Sequence, residues 1–166
     1  MATPNPFLDR EAFYPRKLVA RNVWVGSAAD AVDAKFIREA DISLIVNCTR
    51  NLHFLPGTAT HNHRVGVDDD FREVENMTSR ISEAVMHIDA HLARNRGVLI
   101  HCWAGVQRSC AIAAAYLMYK LGLPPSKAMA AIKRVKKEAF EPRPTFRASL
   151  ELYYAKKMTK KNDHSL

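Results

Sequence analysis

The strongest constraint in this chain is the stretch Gly97-Val98-Leu99-Ile100-His101-Cys102-Trp103-Ala104-Gly105-Val106-Gln107-Arg108-Ser109. A continuous apolar run of strand type leads into a short loop containing glycine, and a helical pattern leaves it through Ala115 and Met118 to a stop at Gly122. Other short β-branched and apolar runs stand at 22–26, 42–48, 61–67 and 98–101, and 18–20 can pair at an edge. Ser27 with Asp30 makes a capping-box pattern for a helix whose apolar face is Val32, Phe36, Ile37 and Ala40. A second helix is predicted over 74–94, with Val74, Met77, Ile81, Val85, Ile88 and Leu92 at helical spacing. Pro124, Pro125 and Ser126 restart a helix carrying Met129, Ile132 and Val135. The last helix starts after Pro144 and buries Phe146, Leu150 and Tyr153. Strands spaced by helices imply an α/β fold of three layers, α/β/α, around a central, mostly parallel sheet.

That architecture bears on chemistry. In open parallel sheets, ligands sit where strands end and helices begin. Main-chain N–H groups of a tight loop, aided by the helix N-terminus, can converge there on an anion. The loop Trp103, Ala104, Gly105, Val106, Gln107 and Arg108 therefore suits a phosphate group, and Trp103 and Gln107 are expected to point toward substrate or its cover. Cys102 opens the concavity, where the same amides and Arg108 favour a nucleophilic thiolate. Arg108 offers a planar fork matching two phosphate oxygens. Ser109 can hydrogen-bond the cysteine sulfur, and His101, ending a buried strand, is expected to brace the loop.

With His101, Gly105 and Ser109 added to the Cys–Arg pair, the segment resembles the H-C-x-x-G-x-x-R-S loop of the cysteine-based protein tyrosine phosphatase superfamily. At 166 residues, the chain as a whole resembles a dual-specificity protein phosphatase domain. The likeness extends through Val23-Trp24-Val25-Gly26-Ser27, Ala31, the run 42–49 and Ala114-Ala115-Tyr116-Leu117-Met118. It departs at Cys110, where relatives more often carry proline or a small residue, and at Ala139, near a position where many have arginine. The resemblance implies a phosphatase acting on phosphotyrosine and on phosphoserine or phosphothreonine through a phosphocysteine intermediate, with no cofactor and no metal. It implies a general acid in a loop upstream of the cysteine. Val65-Gly66-Val67-Asp68-Asp69-Asp70 offers three carboxylates; the family's pattern favours Asp69, and Asp68 and Asp70 stay open as alternatives. Mutual repulsion is expected to favour the protonated form of whichever is least exposed. Cys48 is expected to be a buried structural thiol, with reversible pairing to Cys102 as the family's alternative; Cys110 is a second, weaker redox candidate.

The remaining features suggest the following boundaries. Residues 1–14 form an N-terminal extension, 15–155 the phosphatase domain and 156–166 a basic tail expected to be solvated and frayed. The net charge of +8 favours anionic partners but is not gathered in one long basic run. Phosphorylated protein is the substrate that the resemblance implies. RNA 5′ ends or phosphoinositides are less favoured alternatives, as is a phosphoprotein-binding module with little turnover; Trp103 and Gln107, neither of them basic, speak against a highly charged inositol phosphate. No apolar run is long enough to cross a bilayer, no secretion or lipidation signal is evident, and three cysteines suit a reducing compartment, the cytoplasm or nucleus. The pairs His61/His63 and His87/His91 are expected to be surface residues, without zinc-site companions. Oligomeric state is left open.

Overall fold

A computed structural model describes residues 13–58 and 60–164. Five strands, β1 (Lys17–Ala20), β2 (Val23–Gly26), β3 (Ile42–Asn47), β4 (His61–Arg64) and β5 (Gly97–His101), form one sheet in the order β1-β2-β5-β3-β4. Only β1–β2 is antiparallel; the three other pairings are parallel, as the alternation of strands and helices predicts.

The strand period sorts the core between two faces. Val23, Val25, Leu44, Val46, Val98 and Ile100 face one side. There they meet α2 (Val74–Ala93), α3 (Arg108–Leu121), α4 (Pro125–Val135) and α5 (Arg147–Asp163). Ile45 and Leu99 face the other side, packed with Phe36 and Ile37 of α1 (Ala34–Glu39). Burial of β3 and β5 on both faces is why they read as largely apolar runs. Gly122 ends α3 in the left-handed region (φ 68°), its N–H donating to Met118 O at 3.0 Å, and Pro125 opens α4 at a position where no N–H is needed.

Four local expectations are corrected. Ser27 and Asp30 close a 3-10 turn over Asp30–Val32, with Asp30 accepting from the Ser27 N–H at 2.8 Å; α1 starts one step later, capped by Asp33 on the Phe36 N–H. Val32 is consequently exposed rather than part of the apolar face. The predicted strand 61–67 stops pairing as regular strand at Arg64, since Gly66 takes a positive φ of 67° and turns the chain. The basic stretch 156–161 is helical, because α5 runs on to Asp163; Lys157 Nζ donates to Tyr119 O at 2.9 Å, satisfying an end carbonyl of α3. Of the proposed N-terminal extension, residues 1–12 lie outside the described residues, and Tyr14 N–H reaches Ala104 O at 3.3 Å.

Candidate active site

The loop after β5 is held from outside by its carbonyl oxygens. Cys102 O lies 3.2 Å from His101 Nδ1, Trp103 O accepts from Ala28 N–H at 2.9 Å, and Ala104 O accepts from Tyr14 N–H. Gly105 O is approached by Cys110 Sγ at 3.6 Å, Val106 O accepts from Phe140 N–H at 2.9 Å, and Gln107 O accepts from Ala111 N–H at 2.9 Å. A trans peptide sets N–H opposite C=O, so anchoring every carbonyl outward turns the amides to the concave side. Among the described residues, the N–H groups of Ala104, Gly105, Val106 and Gln107 donate to no protein acceptor. The bend requires glycine at its centre. Gly105 has φ 79°, and a Cβ there would stand 2.8 Å from Gly26 O.

Cys102, nearly fully buried, faces this concavity with Sγ 3.2 Å from Ser109 Oγ on the first turn of α3. Arg108 Nη1 donates to Val67 O at 3.1 Å, which ties it to the chain just before the Asp triplet. Its Nε is buried with no partner. A desolvated guanidinium N–H left unpaired costs about 1–3 kcal/mol, so the site is built to receive an acceptor there. His101 is buried and, since a carbonyl can only accept, its Nδ1 carries the proton donated to Cys102 O. Burial lowers its pKa to about 4. Because the folded value lies below the ordinary 6.5, the neutral form stabilises the fold above pH 6.5, and that contribution is lost as pH falls toward 4. Urea midpoints should therefore drop between pH 6.5 and 4.5, and His101→Gln should flatten part of that drop.

The three carboxylates separate by partner. Asp68 pairs with Arg50 at 3.3 Å. Asp70 caps the next turn and binds Arg72 through both oxygens, at 3.0 and 2.7 Å, which holds its pKa at about 2. Asp69 has no hydrogen bond or ion pair to the described residues. It lines a cavity of about 370 Å³ together with Ala104 and Val106 of the loop. Repulsion within the triplet thus does not decide the matter as expected: Asp70 is the least exposed of the three, yet Arg72 keeps it ionised. A larger cavity, about 720 Å³ between α2 and α5, is remote from Cys102, so chemistry rather than volume marks the site.

The Gln107 side chain has partners that the loop does not suggest. Its amide Nε2 donates to Glu141 O and Arg143 O, both at 2.9 Å, and its Oε1 accepts from Thr145 N–H at 3.1 Å. It braces the segment before α5 while also lining the cavity that Asp69 lines. Trp103 is partly buried, its ring 5.8 Å from that of Phe13. Cys48 is fully buried at the end of β3, its N–H donating to His101 O at 2.9 Å. Burial and then the neighbouring Cys102 push its thiol pKa well above the ordinary range. Burial does the same to Cys110.

With the geometry in place, the kinship of the chain can be stated. Residues 23–156 match the family described as dual specificity phosphatase, catalytic domain. The chain belongs to the dual-specificity phosphatase family. It is 35% identical over 137 residues to human dual specificity protein phosphatase 9, covering 81% of this chain and 35% of that one. To human dual specificity protein phosphatase 6 it is 32% identical over 148 residues, covering 88% and 38%. It thus spans little more than a third of the length of these curated relatives. The crystal structure of human DUSP28 superimposes with a TM-score of 0.80 at 28% identity, covering 87% of this chain and 96% of that one. Within this dual-specificity phosphatase fold, sequence reasoning missed the contribution of residues 136–145. Lys136 is buried with Nζ on Pro15 O at 2.7 Å, and Phe140 takes a positive φ of 68° to reach Val106 O. Ala139 is buried, and Arg143, four residues on, is the arginine that lines the cavity. Only a fully buried lysine signals this segment, and burial is invisible in a sequence.

Proposed function

We propose that this domain hydrolyses phosphotyrosine and phosphoserine or phosphothreonine in proteins through a phosphocysteine intermediate, with residues 15–155 as the catalytic unit. The observation that supports it most is the anchoring of all six carbonyls from Cys102 to Gln107, which leaves the N–H groups of Ala104 to Gln107 without a protein acceptor beside the cysteine. These amides and the Arg108 fork bind the phosphate dianion. Cys102 Sγ attacks phosphorus in line, the P–O bond to the leaving group breaks, and Asp69 gives that oxygen its proton. Water then attacks the phosphocysteine and returns a proton to Asp69. The S–P bond breaks, with the Ser109 hydroxyl, 3.2 Å away, hydrogen-bonding the departing thiolate. His101 braces the loop through Cys102 O and takes no proton.

The rim speaks against polyanionic substrates. The cavity beside the loop carries Asp69, Glu138 and Glu141, the last paired with Lys133, against Arg143, which leaves no cationic excess to attract the further phosphates of an RNA end or an inositol ring. The test is one assay across substrates: an aryl phosphate, phosphotyrosine and phosphothreonine peptides, RNA 5′-phosphates and phosphoinositides. The expected result is release from the aryl phosphate and the peptides, with kcat/KM at least about tenfold above that for the other two classes. No turnover of any substrate, with retained peptide binding, would instead mean a phosphoprotein-binding module.

The three buried free cysteines support a place inside the cell, since unpaired thiols suit a reducing compartment. No helix among the described residues is long and apolar enough to cross a membrane.

A further inference from the structure

The fold joins the two histidine pairs that look unrelated in the sequence. His61 and His63 stand at strand spacing on β4, and Glu83, His87 and His91 stand one turn apart on α2. The rings meet two by two. His61 and His91 have centroids 5.0 Å apart, edge to face, and His63 and His87 have centroids 4.5 Å apart at 33°. The two meetings differ in kind. His91 is buried, and its Nδ1 is engaged 2.6 Å from Ser43 Oγ, so it serves the fold. It is therefore not the exposed residue the helical spacing suggests. His63 and His87 make no hydrogen bond to the described residues; His87 Nε2 merely approaches Glu83 Oε1 at 3.8 Å. One donor atom from each of His63, Glu83 and His87 lies within 4.8 Å of the other two.

We propose that His63, Glu83 and His87 bind a divalent transition metal of the zinc class, clamping β4 to α2. Two imidazoles and a carboxylate are a donor set that zinc accepts, with a fourth position left to water. Glu83 and His87, at i and i+4, share one face of α2, and β4 supplies the third donor from a separate element. Donors around a tetrahedral zinc stand roughly 3.4 Å apart, so binding draws these three inward by about an ångström. The exposed side chains of Glu83 and His87 can supply that by rotation. The His63 ring has no hydrogen bond to the described residues to give up when a metal binds. The Glu83 carboxylate lies beside the same ring, while the Arg80 guanidinium is the cation that opposes binding.

Such a clamp is structural. His63 precedes the Asp68–Asp70 loop and α2 follows it, so a metal joining the two closes the connection that carries Asp69. No step of phosphate hydrolysis passes through it.

The test is calorimetric titration of chelator-treated protein with Zn²⁺, repeated with Co²⁺ by absorption spectroscopy. The proposal expects one Zn²⁺ per chain, with Kd near or below about 10 μM, and at least about tenfold weaker binding in His63→Ala, His87→Ala and Glu83→Gln. Zn²⁺ should raise the unfolding midpoint of the native chain but not of His87→Ala. Co²⁺ should give ligand-field bands without a thiolate charge-transfer band, and Cys102→Ser should leave Zn²⁺ binding intact. His87 and Glu83 are exposed, so their variants should fold, and the far-ultraviolet spectrum checks this. Absence of binding at about 100 μM Zn²⁺, survival of binding in the Glu83→Gln, His87→Ala double variant, or a thiolate band would each overturn the proposal.

Discussion

Cys102→Ser is expected to reduce turnover of an aryl phosphate to background while leaving phosphate binding largely intact. The two halves of that result come from different parts of the site. Binding rests on Arg108 and on amides whose orientation is set by carbonyl contacts to Ala28, Tyr14, Phe140 and Ala111, none of which involves the sulfur. Attack on phosphorus needs an ionised nucleophile, and a serine hydroxyl in the same place stays protonated near neutral pH. Burst kinetics and trapping of a sulfur-bound phosphate in the native chain, both missing in the variant, are the measurements that check it. Phosphopeptide affinity of the variant should stay within about tenfold of the native value, a difference of about 1.4 kcal/mol. Retained turnover in Cys102→Ser would remove the phosphocysteine and with it the proposed reaction.

Asp69→Asn is expected to lower kcat by about 10²–10⁴-fold, whereas Asp68→Asn and Asp70→Asn should cost about tenfold or less. The ranking follows from how each carboxylate is engaged. Asp70, held at a pKa of about 2 by its two-oxygen pairing with Arg72, is ionised throughout any assay range and is a poor proton donor. Asp68 is turned to Arg50, which also pairs with Glu73. Asp69 is left to line the cavity beside the amide loop. The loss should depend on the leaving group. It should be small for an activated phenol that departs without help, and large for phosphoserine, whose alkoxide needs the proton. The limb of the pH–rate profile set by the acid should vanish in Asp69→Asn alone. Were Asp68→Asn to show this pattern instead, the register of the acid would shift by one residue.

How much of this was legible beforehand depends on the range of the interactions involved. Strands β2, β3 and β5 and helices α2 and α3 were readable because both sheet faces are covered and the helices present one apolar stripe. The start of α1 was misplaced by a few residues, since Ser27–Asp30 and Asp33 both cap well and only packing chose between them. The frayed tail was misjudged because nothing local to the lysine-rich stretch 156–161 announces that Lys157 will find the end carbonyls of α3. The loop position of Gln107 suggests a place toward substrate or its cover but not its hydrogen-bond partners, which lie more than thirty residues away.

What the sequence alone determined is the contiguous unit from Gly97 to Ser109. A strand, a glycine and a helix start, all local to the chain, put a cysteine and an arginine six residues apart on one loop, while contacts from Ala28, Tyr14, Phe140 and Val67 fix how that loop and the arginine are held. Tertiary structure decided which of three adjacent aspartates is unengaged, which face of the loop Gln107 takes, and that His63 and His87 meet at all. These depend on Arg50, Arg72, residues 141–145 and the docking of α2 beside β4. Side chains far apart along the chain acquire neighbours only when burial of the core brings their elements together, and no local pattern encodes that choice.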